Sequence, residues 1–368
     1  MSSKNSSFMY NHTNQTGTDT WTESEWKELD ALRNQLYLAE KIILTIFACF
    51  TILGNTMVLV ATWRERILHQ PNKYFIACLA VADLLVGMIL EPWRVYYRNL
   101  DYDSKVTMSI HLCRFLVWID TFALAASIYS LTFISLDRYL KIKKPLLYPS
   151  KMTTSKSLKI IFIMWLISTA FATYATTPHS GSRGILLTGG GFCPYDNNKI
   201  KGFYTFLAVS AFFLPTAVIL VTYTLIFVVV YKRQNMLRSG ELRQTCNDRT
   251  QRSALLQHLN AIRTLIAVVG VFILCWGPYF FYILLWLYSS NLIESDGRSF
   301  TDLVRIWTAD FVITKLPYFN SLCNPIIYGC LDQRYREAFK KLLQRMMCRP
   351  SPRRRQPPDA IELHPLRT

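Results

Sequence analysis

Residues 202–231 read GFYTFLAVSAFFLPTAVILVTYTLIFVVVY, without one Asp, Glu, Lys, Arg or His. A helix needs roughly 20 apolar residues to cross the hydrocarbon core of a bilayer, so this stretch spans with length to spare. Six more apolar blocks, at roughly 40–63, 74–97, 110–137, 157–178, 260–288 and 304–329, bring the total to seven. The composition agrees: of 368 residues, 51% are hydrophobic and only 18% charged, against about 25% charged in soluble proteins. An ordinary soluble enzyme is excluded. So is a lipid-facing β-barrel, whose strands would run about 10 residues with alternating polarity. The expected fold class is an all-α membrane protein, a seven-transmembrane helix bundle with a short amphipathic helix after the seventh span.

The charges between the blocks orient the chain. The formal net charge is +17. A basic excess can signal nucleic acid, but here it gathers in alternate connections and in the stretch after the seventh block, so the positive-inside rule explains it and no nucleic-acid partner is expected. The first connection carries Arg64, Arg66 and Lys73, the third Lys141, Lys143, Lys144 and Lys151, and the fifth Lys232, Arg233, Arg238 and Arg243. The even connections are mixed or acidic, with Asp101, Asp103, Asp196 and Glu294. The odd connections therefore face the cytoplasm, and the N-terminus lies outside a multi-pass plasma-membrane protein. Three sequons, at Asn5, Asn11 and Asn14, fit a glycosylated extracellular tail over 1–38. No apolar stretch begins near Met1, so no cleavable signal is expected and the bundle occupies 39–330. Over 331–348, Leu331, Tyr335, Ala338, Phe339, Leu342 and Leu343 recur at helical spacing between basic residues. Such a helix lies on the inner leaflet against anionic membrane lipids. Cys348 at its end is a palmitoylation candidate. Residues 349–368, rich in Pro and Arg, read as a disordered basic cytoplasmic tail.

Charged groups inside spans are costly and usually functional. Asp83 needs polar partners, and Asn55, Ser127, Asn320, Ser321 and Asn324 are candidates. Together they make either a pocket for an allosteric sodium ion at Asp83 or a hydrogen-bonded polar core without an ion. No other metal or cofactor is expected. Asp120 and Arg138 lie five helical turns apart on one face, about 27 Å by helical rise, so each sits near one mouth of the bundle. Asp120 takes the outer mouth, because Arg138 adjoins a basic connection. Cys113 and Cys193 are the two cysteines assigned to the outside, where a disulfide can form. The aromatic residues Phe212, Trp276, Tyr279, Phe280 and Tyr318 can gather around Asp120, which suits an organic cation. The opposing reading pairs Asp120 internally, with Lys315.

Taken in order, Gly54-Asn55, Asp83, Asp137-Arg138-Tyr139, Trp165, Pro215 with Tyr223, Phe272-Ile273-Leu274-Cys275-Trp276-Gly277-Pro278 and Asn324-Pro325-Ile326-Ile327-Tyr328 resemble the rhodopsin-like G-protein-coupled receptors. The resemblance covers about 40–348, and Asp120 with Tyr318 makes it aminergic in type. It implies a receptor for a small amine, not an enzyme, with a heterotrimeric G protein as partner and an arrestin and receptor kinase in its regulation. The implied ligand set is Asp120, Thr121, Leu124, Leu207, Ala211, Phe212, Trp276, Tyr279, Phe280 and Tyr318. Helical spacing puts Asp310 and Thr314 above Tyr318 on the same face, where Asp310 could receive a second positive group. The implied switch is Asp137, Arg138, Tyr139, Pro215, Ile128, Phe272, Tyr223 and Tyr328. Departures narrow the ligand. Leu207, Ala208 and Ala211 stand where catecholamine receptors carry serines, which argues against a catechol. Lys315 replaces an aromatic residue, and Glu91 and Arg94 are unusual. The rival is a peptide or lipid receptor on the same scaffold. A transporter is disfavoured because no repeated halves are visible, and an opsin because Tyr318 stands where its lysine would be.

Overall fold

Local caps decide where several helices begin. The computed structural model describes residues 22–65, 68, 73–101, 104, 108–145, 147–177, 197–238, 248–289 and 299–347. Thr22 opens α1 (Glu23–Arg64) with a capping box: its hydroxyl accepts from the Glu25 backbone N–H, and the Glu25 carboxylate accepts from the Thr22 N–H at 2.8 Å. The helix therefore starts well before the apolar block at 40 and takes in 23–38 of the expected tail. At 42 residues it is about 63 Å long, roughly twice the hydrocarbon thickness. Ser109 caps α3 (Ile110–Lys143), and Thr153 caps α4 (Thr154–Thr176). The expected tail sequons at Asn5, Asn11 and Asn14, Cys348 and residues 349–368 lie outside the described residues.

Two helices widen by a π turn, each followed two positions later by a proline. Helix α2 (Lys73–Asn99) contains the π turn Val86–Leu90, then Pro92. Helix α5 joins Asn197–Leu207, the π turn Ala208–Phe213 and Leu214–Arg238, with Pro215 just after the turn. A proline lacks the N–H that an α turn would use, and a π turn absorbs the mismatch while shifting the register of the side chains around it. Helix α6 (Asp248–Tyr288) carries Pro278 inside.

Among the described residues, six helices, α1 to α6, are long and apolar enough to cross a membrane. The seventh crossing was expected as one block, 304–329. It is instead two pieces, α7 (Phe300–Ile313) and α8 (Leu316–Leu331), broken at Thr314 and Lys315. Pro317 has no N–H to give to the carbonyl one turn back, so the helix restarts there. The amphipathic stretch forms α9 (Gln333–Met346), opened by the Asp332 carboxylate accepting from the Arg334 and Tyr335 backbone N–H groups.

The bundle is apolar outside and polar at the centre. Phe50, Phe162, Leu166, Phe227 and Leu274 are exposed, as suits lipid contact. Asn55, Asp83, Asn320, Ser321 and Asn324 are buried. Helix α3 is buried on most sides and forms the axis. Gly54 lets α1 and α8 meet, since a Cβ there would fall 2.8 Å from the Pro325 Cβ. Trp165 ties α4 to α2 by donating its indole N–H to Cys78 Sγ at 2.8 Å. Helix α9 docks through Tyr335, whose ring stacks on Tyr328 at 5.4 Å and whose hydroxyl lies 2.9 Å from the Thr62 hydroxyl. Cys113 is disulfide-bonded; Cys193, its expected partner, lies outside the described residues.

Candidate functional site

One cavity opens between α2, α3, α5, α6 and α8. Helix α3 contributes Asp120, Thr121 and Leu124, and α6 contributes Trp276, Tyr279 and Phe280. Leu207 and Tyr204 come from α5, and Tyr318 from α8, with Thr314 at the break above it. The π turn of α2 places Val86 and Leu90 on the wall and brings Arg94 into it. Asp120 sits deep between helices yet has an exposed side chain, because what it faces is this cavity. It makes no hydrogen bond or ion pair among the described residues. Trp276 meets Tyr279 edge-on at 5.7 Å and lies 5.9 Å from Phe280, giving an aromatic wall opposite a carboxylate.

Three expected lining residues are placed elsewhere. Ala211 and Phe212 belong to the α5 π turn and are buried behind the wall. Phe212 stacks on Phe280 at 5.0 Å and reaches Phe272 at 5.7 Å, so it supports the wall rather than forming it. Asp310 accepts a hydrogen bond from the Tyr282 hydroxyl at 2.9 Å and does not reach the cavity.

The expected alternative of an Asp120–Lys315 pair does not form. Lys315 Nζ instead pairs with Glu40 Oε1 at 3.0 Å, and gives a hydrogen bond to Thr314 Oγ1 at 2.8 Å. The same Glu40 carboxylate accepts from Arg94 Nε at 3.1 Å and from Arg98 Nε at 2.7 Å. Glu40 is 1% exposed, and it binds α1, α2 and the α7–α8 break into one buried charge cluster. Sequence reading missed Glu40, at the head of the first span, and Tyr204. The one available signal was Arg94 and Arg98, four apart and so on one helix face.

Beneath the cavity lies the polar core. Ser127, Asn320 and Ser321 line the cavity floor. Asn324 donates its amide to Asp83 Oδ2 at 2.8 Å, and Asn55 donates to the Thr51 and Ser321 backbone carbonyls at 3.0 and 3.2 Å. Asp83 Oδ1 and Asn320 Oδ1 are buried acceptors without a hydrogen-bond partner. Oxygens left over in this way fit a small hard cation. Glu91, one turn before Arg94, is buried with both carboxylate oxygens unpartnered.

At the inner end, the Tyr148 hydroxyl donates to Asp137 Oδ1 at 2.7 Å. Burial and the neighbouring Asp137 carboxylate push the Tyr148 hydroxyl well above its ordinary range, so it remains a donor. Tyr139 accepts from Lys143 Nζ at 2.8 Å. Arg138 Nε and the Tyr223 hydroxyl are both buried without a hydrogen-bond partner. Ile128 and Phe272 are fully buried, Pro215 is buried, and Tyr328 stacks on Tyr335. The expected switch residues thus run from beneath the cavity to the inner mouth.

Comparison with known proteins agrees with this architecture. The model of the family described as "7 transmembrane receptor (rhodopsin family)" matches residues 54–328. An alpha-1A adrenergic receptor of Oryzias latipes is 31% identical over 342 residues, covering 84% of this chain and 68% of that protein. The alpha-1A adrenergic receptor of Homo sapiens is 29% identical, covering 84% of this chain and 68% of that protein. Trace amine-associated receptor 5 of Rattus norvegicus is 31% identical, covering 87% of this chain and 88% of that protein. With a family match across most of its length and a helical bundle to carry it, this chain is a member of the rhodopsin family of seven-transmembrane receptors.

Proposed function

We propose that the chain is a plasma-membrane receptor that binds a small protonated amine at Asp120 and thereby activates a heterotrimeric G protein. The observation that carries this reading is the Asp120 carboxylate, open to an aromatic-walled cavity and paired with nothing among the described residues. An ammonium group supplies the missing counter-charge, and Trp276, Tyr279 and Phe280 add cation–π attraction. The names of the relatives, adrenergic and trace amine-associated receptors, point the same way. A catechol is disfavoured: Leu207 lines the wall, and the Ser210 hydroxyl donates to the Phe206 carbonyl at 2.6 Å.

Signalling follows from a population shift. The ligand favours whichever state it binds better, and by no more than that difference in affinity. Contact with Trp276 and Phe280 passes to Phe212, then Phe272, and so to the packed centre formed with Ile128 and Pro215. Release of α6 would let Arg138, Tyr223 and Tyr328 rearrange around a G protein at the inner mouth. Sodium at Asp83 would hold the inactive arrangement through Asn320 and Ser127. The N-terminus faces outward, α9 rests on inner-leaflet lipid, and an arrestin and receptor kinase act on the cytoplasmic side.

The test is G-protein nucleotide exchange on wild type and Asp120→Asn with a panel of amines. The substitution keeps the shape and removes the charge. A potency loss of about 100-fold, roughly 2.7 kcal/mol, is expected. Equal potency on the two proteins would show that Asp120 is not the anchor.

A further inference from the structure

We propose that the ligand carries a carboxylate as well as an ammonium group, and that Arg94 binds the carboxylate. This deepens the amine reading and rests on it. The cavity wall holds two charges of opposite sign, Asp120 from α3 and Arg94 from α2. They form no ion pair with one another, and each faces the same cavity. A ligand bridging them would need both signs.

The surroundings of Arg94 show that it has charge to spare. It is 8% exposed and gives only its Nε–H to Glu40, at 3.1 Å. Its two terminal nitrogens make no hydrogen bond among the described residues. Glu40 is shared, since Arg98 at 2.7 Å and Lys315 at 3.0 Å draw on the same carboxylate. One anion thus faces three cations, Arg94 and Lys315 buried and Arg98 half-buried. Glu91 pairs with none of the three, since both of its oxygens lack a hydrogen-bond partner.

A simple amine would neutralise Asp120 and add one more positive charge to a region that already has an excess. An amino acid neutralises Asp120 and supplies the missing anion to Arg94. A guanidinium presents parallel donors that match the two oxygens of a carboxylate, and such charge-assisted pairs are strong where water is excluded. The ligand class is therefore a small amphoteric amine with an apolar or aromatic body.

The experiment uses the full chain in lipid nanodiscs with matched probes: phenylalanine, 5-aminopentanoate and 6-aminohexanoate, each beside its methyl ester. The ester keeps the ammonium and masks the carboxylate. Readouts are the shift in unfolding temperature and G-protein nucleotide exchange. For at least one pair the acid is expected to be about tenfold more potent than the ester on wild type. Arg94→Gln should abolish that ratio by weakening the acid alone, and Arg94→Lys should restore part of it. Esters that equal or exceed their acids in every pair overturn the proposal on wild type, with no variant needed. So does an Arg94→Gln protein that weakens acid and ester equally. Asp120→Asn separates the two readings. If it lowers both members of a pair while Arg94→Gln does not discriminate, only the present inference fails. If Asp120→Asn leaves both unchanged, the amine reading fails and this inference with it; if neither member of any pair acts on wild type, this inference fails and the amine reading passes to the amine panel.

Discussion

A glutamate stands near each end of the α1 membrane crossing, Glu40 within the helix and Glu65 just past its last residue, and each meets basic side chains from elsewhere in the bundle. Glu40, at the outer end, pairs with Arg94, Arg98 and Lys315, whose side chains are 9%, 16% and 7% exposed. Glu65, at the inner end, pairs with Arg345 at 3.0 Å and Lys341 at 3.7 Å, whose side chains are 59% and 51% exposed. The chemistry is the same and the environment is not. Water and salt screen the inner pairs, so they serve as soft contacts that steer α9 onto α1. The outer cluster has no such relief. It fixes the α1–α2–α8 side of the cavity, and it must stay complete to be tolerated.

The largest expected effect follows directly. Glu40→Gln leaves buried Arg94 and Lys315 and half-buried Arg98 without their anion, and a loss of about 3–5 kcal/mol is expected. It would be read as a collapse in unfolding temperature and in surface expression. A variant as stable as wild type would mean that the cluster is hydrated and equivalent to its inner counterpart. Next, Tyr148→Phe removes the donor to the buried Asp137 carboxylate, at an expected cost of about 1.5–3 kcal/mol in thermal unfolding. That change tests whether the inner end also depends on a buried charge being satisfied. Gly54→Ala should cost about 1–3 kcal/mol by forcing α1 from Pro325. A normal unfolding temperature there would show that charge, and not close packing, sets the α1–α8 distance. The smallest effect is expected for Glu65→Gln, within about 1 kcal/mol and fading as salt is raised. A loss matching that of Glu40→Gln would erase the distinction between the two ends.

Much of this arrangement could be read from the chain, because it depends on local properties. Apolar length marks the crossings, charge in the connections marks their direction, and helical spacing marks α9. The spacing of Asp120 from Arg138 on one helix is a matter of turns per residue, and the structure keeps both on α3. The polar core was legible for a similar reason, since a buried Asp83 demands partners and the spans offered few.

The misreadings share a cause. Ala211 and Phe212 were expected on the wall from the resemblance, but they lie in the π turn Ala208–Phe213 and are buried behind it. Asp310 was placed by helical spacing from Tyr318 along a helix that in fact breaks at Thr314 and Lys315. In both cases a proline nearby was the warning, and its position alone did not say how the backbone would absorb it.

The sequence by itself determined an all-helical membrane bundle, its family, and which acids and aromatic residues were available to a ligand. These follow from hydrophobic length, periodicity and motif order, all properties of neighbours along the chain. Only the tertiary structure decided which charge meets which. Lys315 had two acids within plausible reach, and folding gave it Glu40 and left Asp120 open to the cavity. Arg94 and Arg98 reach the same Glu40 across 54 and 58 positions of sequence. Pairing of this kind depends on inverse distance and on the exclusion of water, and both are set by how the helices pack rather than by the order of their residues.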